Sequence, residues 1–128
     1  MTMLAHISIG VRNLEQAKRF YDAVLPPLGY RCIRAARSMD GWGYGRETIG
    51  FWLTAAERPV PPDEASRLHF CFAAPNNDAV DAFHAAALRA GGMDNGAPGV
   101  RTKYSPDYYA AFVIDPNGYR IEAFHGHE

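Results

Sequence analysis

The sequence predicts an α+β fold built from two βαβββ modules, and three observations carry that prediction. Adding 63 to a position in the first half lands His6 on His69, Phe20 on Phe83, Leu25 on Leu88 and Gly29 on Gly92, with Ala17 falling on Val80. Each half opens with residues that alternate at period two and then switches to the helical period of about 3.6. Between the halves, Ala56 to Arg67 places Pro59, Pro61 and Pro62 among charged residues, which suits an exposed connector. Two units are too few for a solenoid, so the pattern reads as one duplicated compact domain over 1–128, with a first module at 1–66 and a second at 67–128.

The elements follow in order. From Met3 to Val11, Ala5, Ile7, Ile9 and Val11 fall on one face and Leu4, His6, Ser8 and Gly10 on the other, which predicts a strand. Asn13 is placed to cap a helix with Gln16 three residues on, and Leu14, Ala17, Phe20, Tyr21, Val24 and Leu25 recur at helical spacing before Pro26 and Pro27 end it. Three short strands are expected at Tyr30–Ala36, Gly41–Arg46 and Thr48–Ala55. In the second module Leu68 to Ala74 alternates, with His69, Cys71 and Ala73 on the less bulky face. Asn77 or Asp78 is expected to cap a second helix carrying Val80, Phe83, Ala87 and Leu88, which Gly91 and Gly92 stop. Val100 to Lys103 reads as a short strand and Tyr108 to Ile114 as a longer one. Asp115-Pro116-Asn117-Gly118 forms a turn, and Tyr119 to Phe124 returns with Glu122 on the face of Arg120 and Phe124.

Composition narrows the function classes. With 48% hydrophobic and 21% charged residues the chain buries a core, and a formal net charge of -1 supplies no field for nucleic acid or an anionic membrane. Cys32 and Cys71 lie in apolar runs without a CxxC spacing, which predicts reduced, packed thiols and a cytoplasmic protein. No apolar run reaches the length of about 18 residues needed for a membrane span, and the N-terminus lacks a secretory pattern. The expected partner is a small molecule.

The stretches HISIGVRNLEQAKRFYDAVLPPLGY, HFCFAAPNNDAVDAFHAAALRAGG and DPNGYRIEAF together resemble the vicinal oxygen chelate superfamily, which includes glyoxalase I, the fosfomycin and bleomycin resistance proteins and extradiol dioxygenases. The resemblance covers nearly the whole chain and implies an open, cleft-lined mixed sheet. It also implies metal ligands at His6, His69 and Glu122 and a homodimer. Two imidazoles and a carboxylate suit a divalent ion, Fe, Mn, Ni, Co or Zn, with positions left open for a substrate presenting adjacent oxygens. Where the family carries a fourth, carboxylate ligand, this chain has Trp52, a departure from the glyoxalase I pattern. Phe112 stands where the dioxygenase subgroup has Tyr, and no His precedes the final hairpin, a departure from that pattern too.

The expected activity is therefore that of a metal-dependent, glyoxalase-like enzyme. The alternatives are a metal-free small-molecule binder of the bleomycin-resistance type or an extradiol-type dioxygenase. Tyr109 is the candidate acid or orienting group. Trp42, Tyr44 and Trp52 are candidate aromatic walls of a substrate pocket, and Arg101 and Lys103 are candidate anchors for an anionic substrate. His84, His125 and His127 read as solvated. Gly41, Gly43 and Gly45 alternate within a strand and do not precede a helix, which argues against a dinucleotide site.

Overall fold

The computed structural model describes residues 3–36 and 40–128. The first module runs β1 (Ile7–Val11), α1 (Leu14–Val24), a 3-10 turn at Pro26–Leu28, β2 (Arg31–Ala35), β3 (Gly41–Gly45) and β4 (Ile49–Ala55). After a second 3-10 turn at Glu64–Ser66, the second module repeats the order with β5 (His69–Ala73), α2 (Asn77–Arg89), β6 (Met93–Val100), β7 (Tyr109–Ile114) and β8 (Arg120–His125). The strands form two four-stranded mixed sheets, ordered β1-β4-β3-β2 and β5-β8-β7-β6. The opening strand of each module lies parallel to its last strand, and the other pairs are antiparallel. Parallel pairing needs a long crossover, and here each crossover contains the module's helix.

Both helices start where a side-chain oxygen replaces a missing backbone partner. The Asn13 carboxamide accepts the Gln16 N–H at 3.0 Å, as its position predicts. In α2 the cap is Asn76, whose Oδ1 accepts the Ala79 N–H at 2.8 Å, rather than Asn77 or Asp78. Three adjacent residues there are capable of capping. The extended backbone of Asn76 (φ -163°, ψ 174°) makes it the last residue outside the helix. Phe20 and Phe83, related by the 63-residue offset, are both fully buried. The turn after β7 closes through Gly118 N–H to Asp115 O at 2.9 Å, and Gly118 sits at φ 93°, where a Cβ is disfavoured.

One hydrophobic core joins the modules, and it lies on the helix side of both sheets. Phe51 of β4 meets Phe72 of β5 edge to face at 5.3 Å. Across the same junction Tyr30 Oη donates to Ala73 O and Tyr119 Oη to Gly10 O, each at 2.7 Å. Tyr21 Oη, fully buried on α1, donates to Asp115 Oδ2 at 2.6 Å. Because the helix sides of both sheets are spent on this core, the opposite faces are left open.

The structure corrects several local expectations. β1 begins at Ile7, and Met3 and Leu4 before it lie 99% and 60% exposed. β6 spans Met93–Val100, not Val100–Lys103. Its glycines, proline and two register shifts hide the strand from any periodicity, and its backbone pairing with β7 defines it. His84 is buried rather than solvated, with Nε2 at 2.9 Å from Asp94 Oδ1. Cys32 and Cys71 are both free thiols, but Cys71 is exposed instead of packed. Among the described residues, no helix is long and apolar enough to cross a membrane.

Candidate functional site

The open face of the second sheet carries a connected polar group. Alternation along β5 turns His69 and Cys71 out of the core, and the parallel register sets Cys71 beside Glu122 and His69 beside Arg120. On the other flank β7 places Phe112 beside Glu122 and Ala110 beside Phe124. Glu122 is only 3% exposed. His69 Nε2 lies 2.9 Å from Glu122 Oε1, and Tyr108 Oη donates to Glu122 Oε2 at 2.5 Å. A buried carboxylate is costly without partners, and here each oxygen has one.

Tyr108 is held as firmly as the carboxylate. It is buried, and its ring stacks on Phe124 with centroids 4.4 Å apart and packs against Tyr104 at 5.1 Å. Its carbonyl accepts the Arg101 N–H at 2.7 Å. Burial, and then the bonded Glu122 carboxylate, push its phenol well above the usual tyrosine range, so it stays a neutral donor. A hollow of about 250 Å³ opens beside His69, between Asp63, Arg67, Asn95 and Arg120. The Arg120 guanidinium there is tied to backbone, donating to Pro62 O at 2.8 Å and Gly118 O at 2.9 Å.

The remaining candidates divide by face. Tyr109 lies across the sheet from Glu122, with its hydroxyl donating to Asp81 Oδ1 of α2 at 2.6 Å. Trp42 and Tyr44 also face a helix: Lys18 Nζ of α1 stands 4.6 Å from the Trp42 ring, and Tyr44 Oη donates to Asp22 at 2.9 Å. Trp52 does lie on the open face of the first sheet, in register with Ser8 and with Gly43. Arg101 lies over Phe112 at 5.4 Å, on the face that carries Glu122, and bonds the carbonyls of Ala97 and Gly99. Lys103 is exposed against Tyr104.

His6 is exposed, one residue before β1. Among the described residues of one chain no three metal-ligating side chains come together, so His69 and Glu122 are joined and His6 is not joined to them. An imidazole nitrogen and a carboxylate oxygen are donors that a divalent first-row metal accepts, and here they converge to 2.9 Å as a hydrogen-bonded pair.

Sequence reasoning counted Tyr108 only among the aromatics able to wall a pocket and chose Tyr109 as the acid or orienting group. The signal is the period-two alternation that links Tyr108 to Ala110 and Phe112, but only the strand register shows that Phe112 is the neighbour of Glu122. A hollow of about 760 Å³ lies between the modules against Phe51, Phe70 and Phe72 and reaches Cys71 and Ala73.

A family model described as the glyoxalase/bleomycin resistance protein/dioxygenase superfamily matches residues 3–123. The crystal structure of a glyoxalase/bleomycin resistance protein from Albidiferax ferrireducens T118 is 33% identical, with 98% of this chain and 100% of that chain covered and a TM-score of 0.83. A family enzyme from Burkholderia phytofirmans PsJN is 22% identical over 96% of this chain and 98% of its own, with a TM-score of 0.70. The fosfomycin resistance protein FosX from Mesorhizobium loti is 19% identical over 99% of this chain and 94% of its own, also at 0.70. At these last two identities the likeness is one of fold. No curated protein matches the chain.

Proposed function

Because the chain belongs to the glyoxalase/bleomycin resistance protein/dioxygenase superfamily, we propose that it is a metal-dependent, glyoxalase-like enzyme acting on a small substrate with two adjacent oxygens. The observation that supports this reading is the convergence of an imidazole and a buried carboxylate, His69 and Glu122, on the open face. A divalent first-row metal bound there supplies a Lewis acid that polarises the substrate oxygens. His69 and Glu122 would hold it, with His6 as the third ligand. The hollow beside His69 admits the substrate, and Arg101 over Phe112 supplies positive charge on the same face as Glu122. Free thiols at Cys32 and Cys71 suit the cytoplasm.

The same reading requires a homodimer. Within one chain the helix sides of both sheets share a core, and His6 stays apart from the His69–Glu122 pair. A second copy that sets its first module against the open face of the second module delivers His6 to the pair. Two-fold symmetry then makes two equivalent sites.

Calorimetric titration with Zn or Mn tests this. Wild type is expected to bind about one ion per chain, and His6→Ala, His69→Ala and Glu122→Ala each to weaken binding sharply, because each leaves the shell incomplete. Mixing unfolded His6→Ala and His69→Ala chains and refolding them together then restores about a quarter of the sites if ligands come from two chains, since one site of each mixed dimer is intact. Equal, weak binding by wild type and all variants moves the protein to the metal-free, small-molecule-binding class.

A further inference from the structure

We infer that Arg120 and Arg67 form an oxoanion subsite in the hollow beside His69, and that the substrate carries a carboxylate or phosphate group there. The inference rests on the reading of that hollow as the substrate's and names a substrate class; it needs no bound metal. Arg120 is the neighbour of His69 in the β5–β8 register and stands two residues, about 7 Å along β8, from Glu122. Each terminal nitrogen of a guanidinium carries two N–H donors. Nη1 of Arg120 spends both on backbone, at 2.8 Å from Pro62 O and 2.9 Å from Gly118 O. Those bonds hold the group in place and leave its Nε–Nη2 edge unspent. The edge is open to solvent, since among the described residues the one buried side-chain polar atom without a partner is Asn117 Nδ2. Two parallel N–H donors held in this way match two oxygens of one carboxylate or phosphate.

Arg67 brings a second positive charge to the same hollow. Its backbone sits at φ 63° and ψ 12°, and among the described residues it alone, other than glycines, has a positive φ. Glycine takes that left-handed conformation without steric cost, so the chain carries a long cationic side chain where its backbone favours none. Two carboxylates, Asp63 and Glu64, line the hollow as well. Asp63 Oδ1 is spent on the Ser66 N–H at 2.9 Å, and Glu64 is exposed. Among the described residues neither pairs with Arg67 or Arg120, so both cations keep their charge for a ligand. With a formal net charge of -1 the whole chain has no field that draws anions, and affinity for an oxoanion is a local property of this pair.

The test titrates the full chain, passed over a chelating resin, with inorganic phosphate, acetate and neutral acetamide, and follows the arginine Nε–Hε NMR signals. In wild type, phosphate and acetate are expected to shift the Arg120 and Arg67 signals and acetamide to shift neither. The tighter of the two anions assigns the group as phosphate or carboxylate. Arg67→Gly relieves the left-handed backbone, so it is expected to keep or raise the melting temperature while binding the anion about 10-fold more weakly. Arg120→Lys keeps the charge but loses the two-donor edge, and is expected to weaken binding by a similar factor. Arg89→Gln removes an equal charge from the far end of α2, on the opposite side of the sheet, and should bind as wild type. Wild-type Arg120 and Arg67 signals that do not move overturn the inference. So does Arg67→Gly binding as tightly as wild type, or a loss in Arg89→Gln as large as that in Arg67→Gly. The wild-type signals alone decide against it, so an Arg120→Lys chain that fails to fold does not shelter it. Zinc binding lost with the oxoanion shifts retained removes the metal from the proposed function and leaves the subsite standing; the reverse removes only the subsite.

Discussion

The two modules share a scaffold and differ where two neighbouring strands meet on the open face. In the first sheet Trp52 of β4 is paired with Gly43 of β3, and in the second Glu122 of β8 is paired with Phe112 of β7. These are equivalent places, since Trp52 also neighbours Ser8 of the opening strand as Glu122 neighbours Cys71. An aromatic ring therefore sits at this pairing in both sheets, on β4 in the first and on β7 in the second. A Cβ on Gly43 would come within 2.9 Å of Trp52 Cζ3 and 2.7 Å of Ile49 Cδ1, so the glycine makes room for the indole. The duplication keeps an aromatic ring at the pairing and changes its partner, glycine in one sheet and a carboxylate in the other.

The helices show a second divergence. The 63-residue offset relates Tyr21 of α1 to His84 of α2, and each meets an aspartate, Tyr21 meeting Asp115 and His84 meeting Asp94. Asp115 is buried and also accepts the N–H groups of Asn117 and Tyr119 at 2.8 and 2.9 Å, whereas Asp94 is exposed. One pair ties the modules together; the other joins α2 to β6 within the second module.

The largest effect is expected from breaking the intermodule pair. Asp115→Ala orphans the fully buried Tyr21 hydroxyl and two backbone donors, and should cost on the order of 3–5 kcal/mol in denaturant melts. Burial raises the Asp115 carboxyl above its ordinary 3.8, an effect partly offset by its donors. The folded protein then binds the proton more tightly than the unfolded chain. The contribution of Asp115 is fully present below 3.8 and is lost as pH rises through the raised value. Asp115→Asn should remove that segment of the pH profile; an identical profile would mean the carboxyl is not coupled to folding.

An intermediate effect is expected from converting the first open face toward the second. Gly43→Phe alone overpacks against Trp52 and should cost about 1–3 kcal/mol. Trp52→Glu alone uncovers the glycine strand. Together they recreate the pair found at Phe112 and Glu122, so the double variant should be more stable than the sum of its parts by about 1–2 kcal/mol. Strict additivity in a double-mutant cycle would show that the two positions are not coupled. Added Zn or Mn should raise the melting temperature of the double variant if the new carboxylate reaches the metal site.

The smallest effect belongs to His84 and Asp94. The hydrogen bond from His84, and then the Gly96 N–H, lower the Asp94 carboxyl below 3.8. Stability from this pair is present above 3.8 and is lost as pH falls through the lowered folded value. Asp94→Asn should lower the melting temperature slightly at neutral pH and match wild type under strongly acidic conditions. A difference that persists there would point to packing instead of charge.

The sequence by itself determined the modules, both helices, most strands and the faces on which His69, Cys71 and Glu122 lie, because period two, period 3.6, caps and turn residues are local properties of the chain. Tertiary structure decided the rest. β6 has no periodicity of its own and exists through its pairing with β7. The choice of Tyr108 over Tyr109 as the neighbour of Glu122 follows from register, which ladder hydrogen bonds between distant segments set. His84 is buried because α2 lies against β6. The repeat predicts that His6 and His69 occupy matching positions, yet how the modules dock decides whether they meet. Here the apolar helix sides of both sheets are buried against each other, so within one chain His6 stands apart from His69 and Glu122.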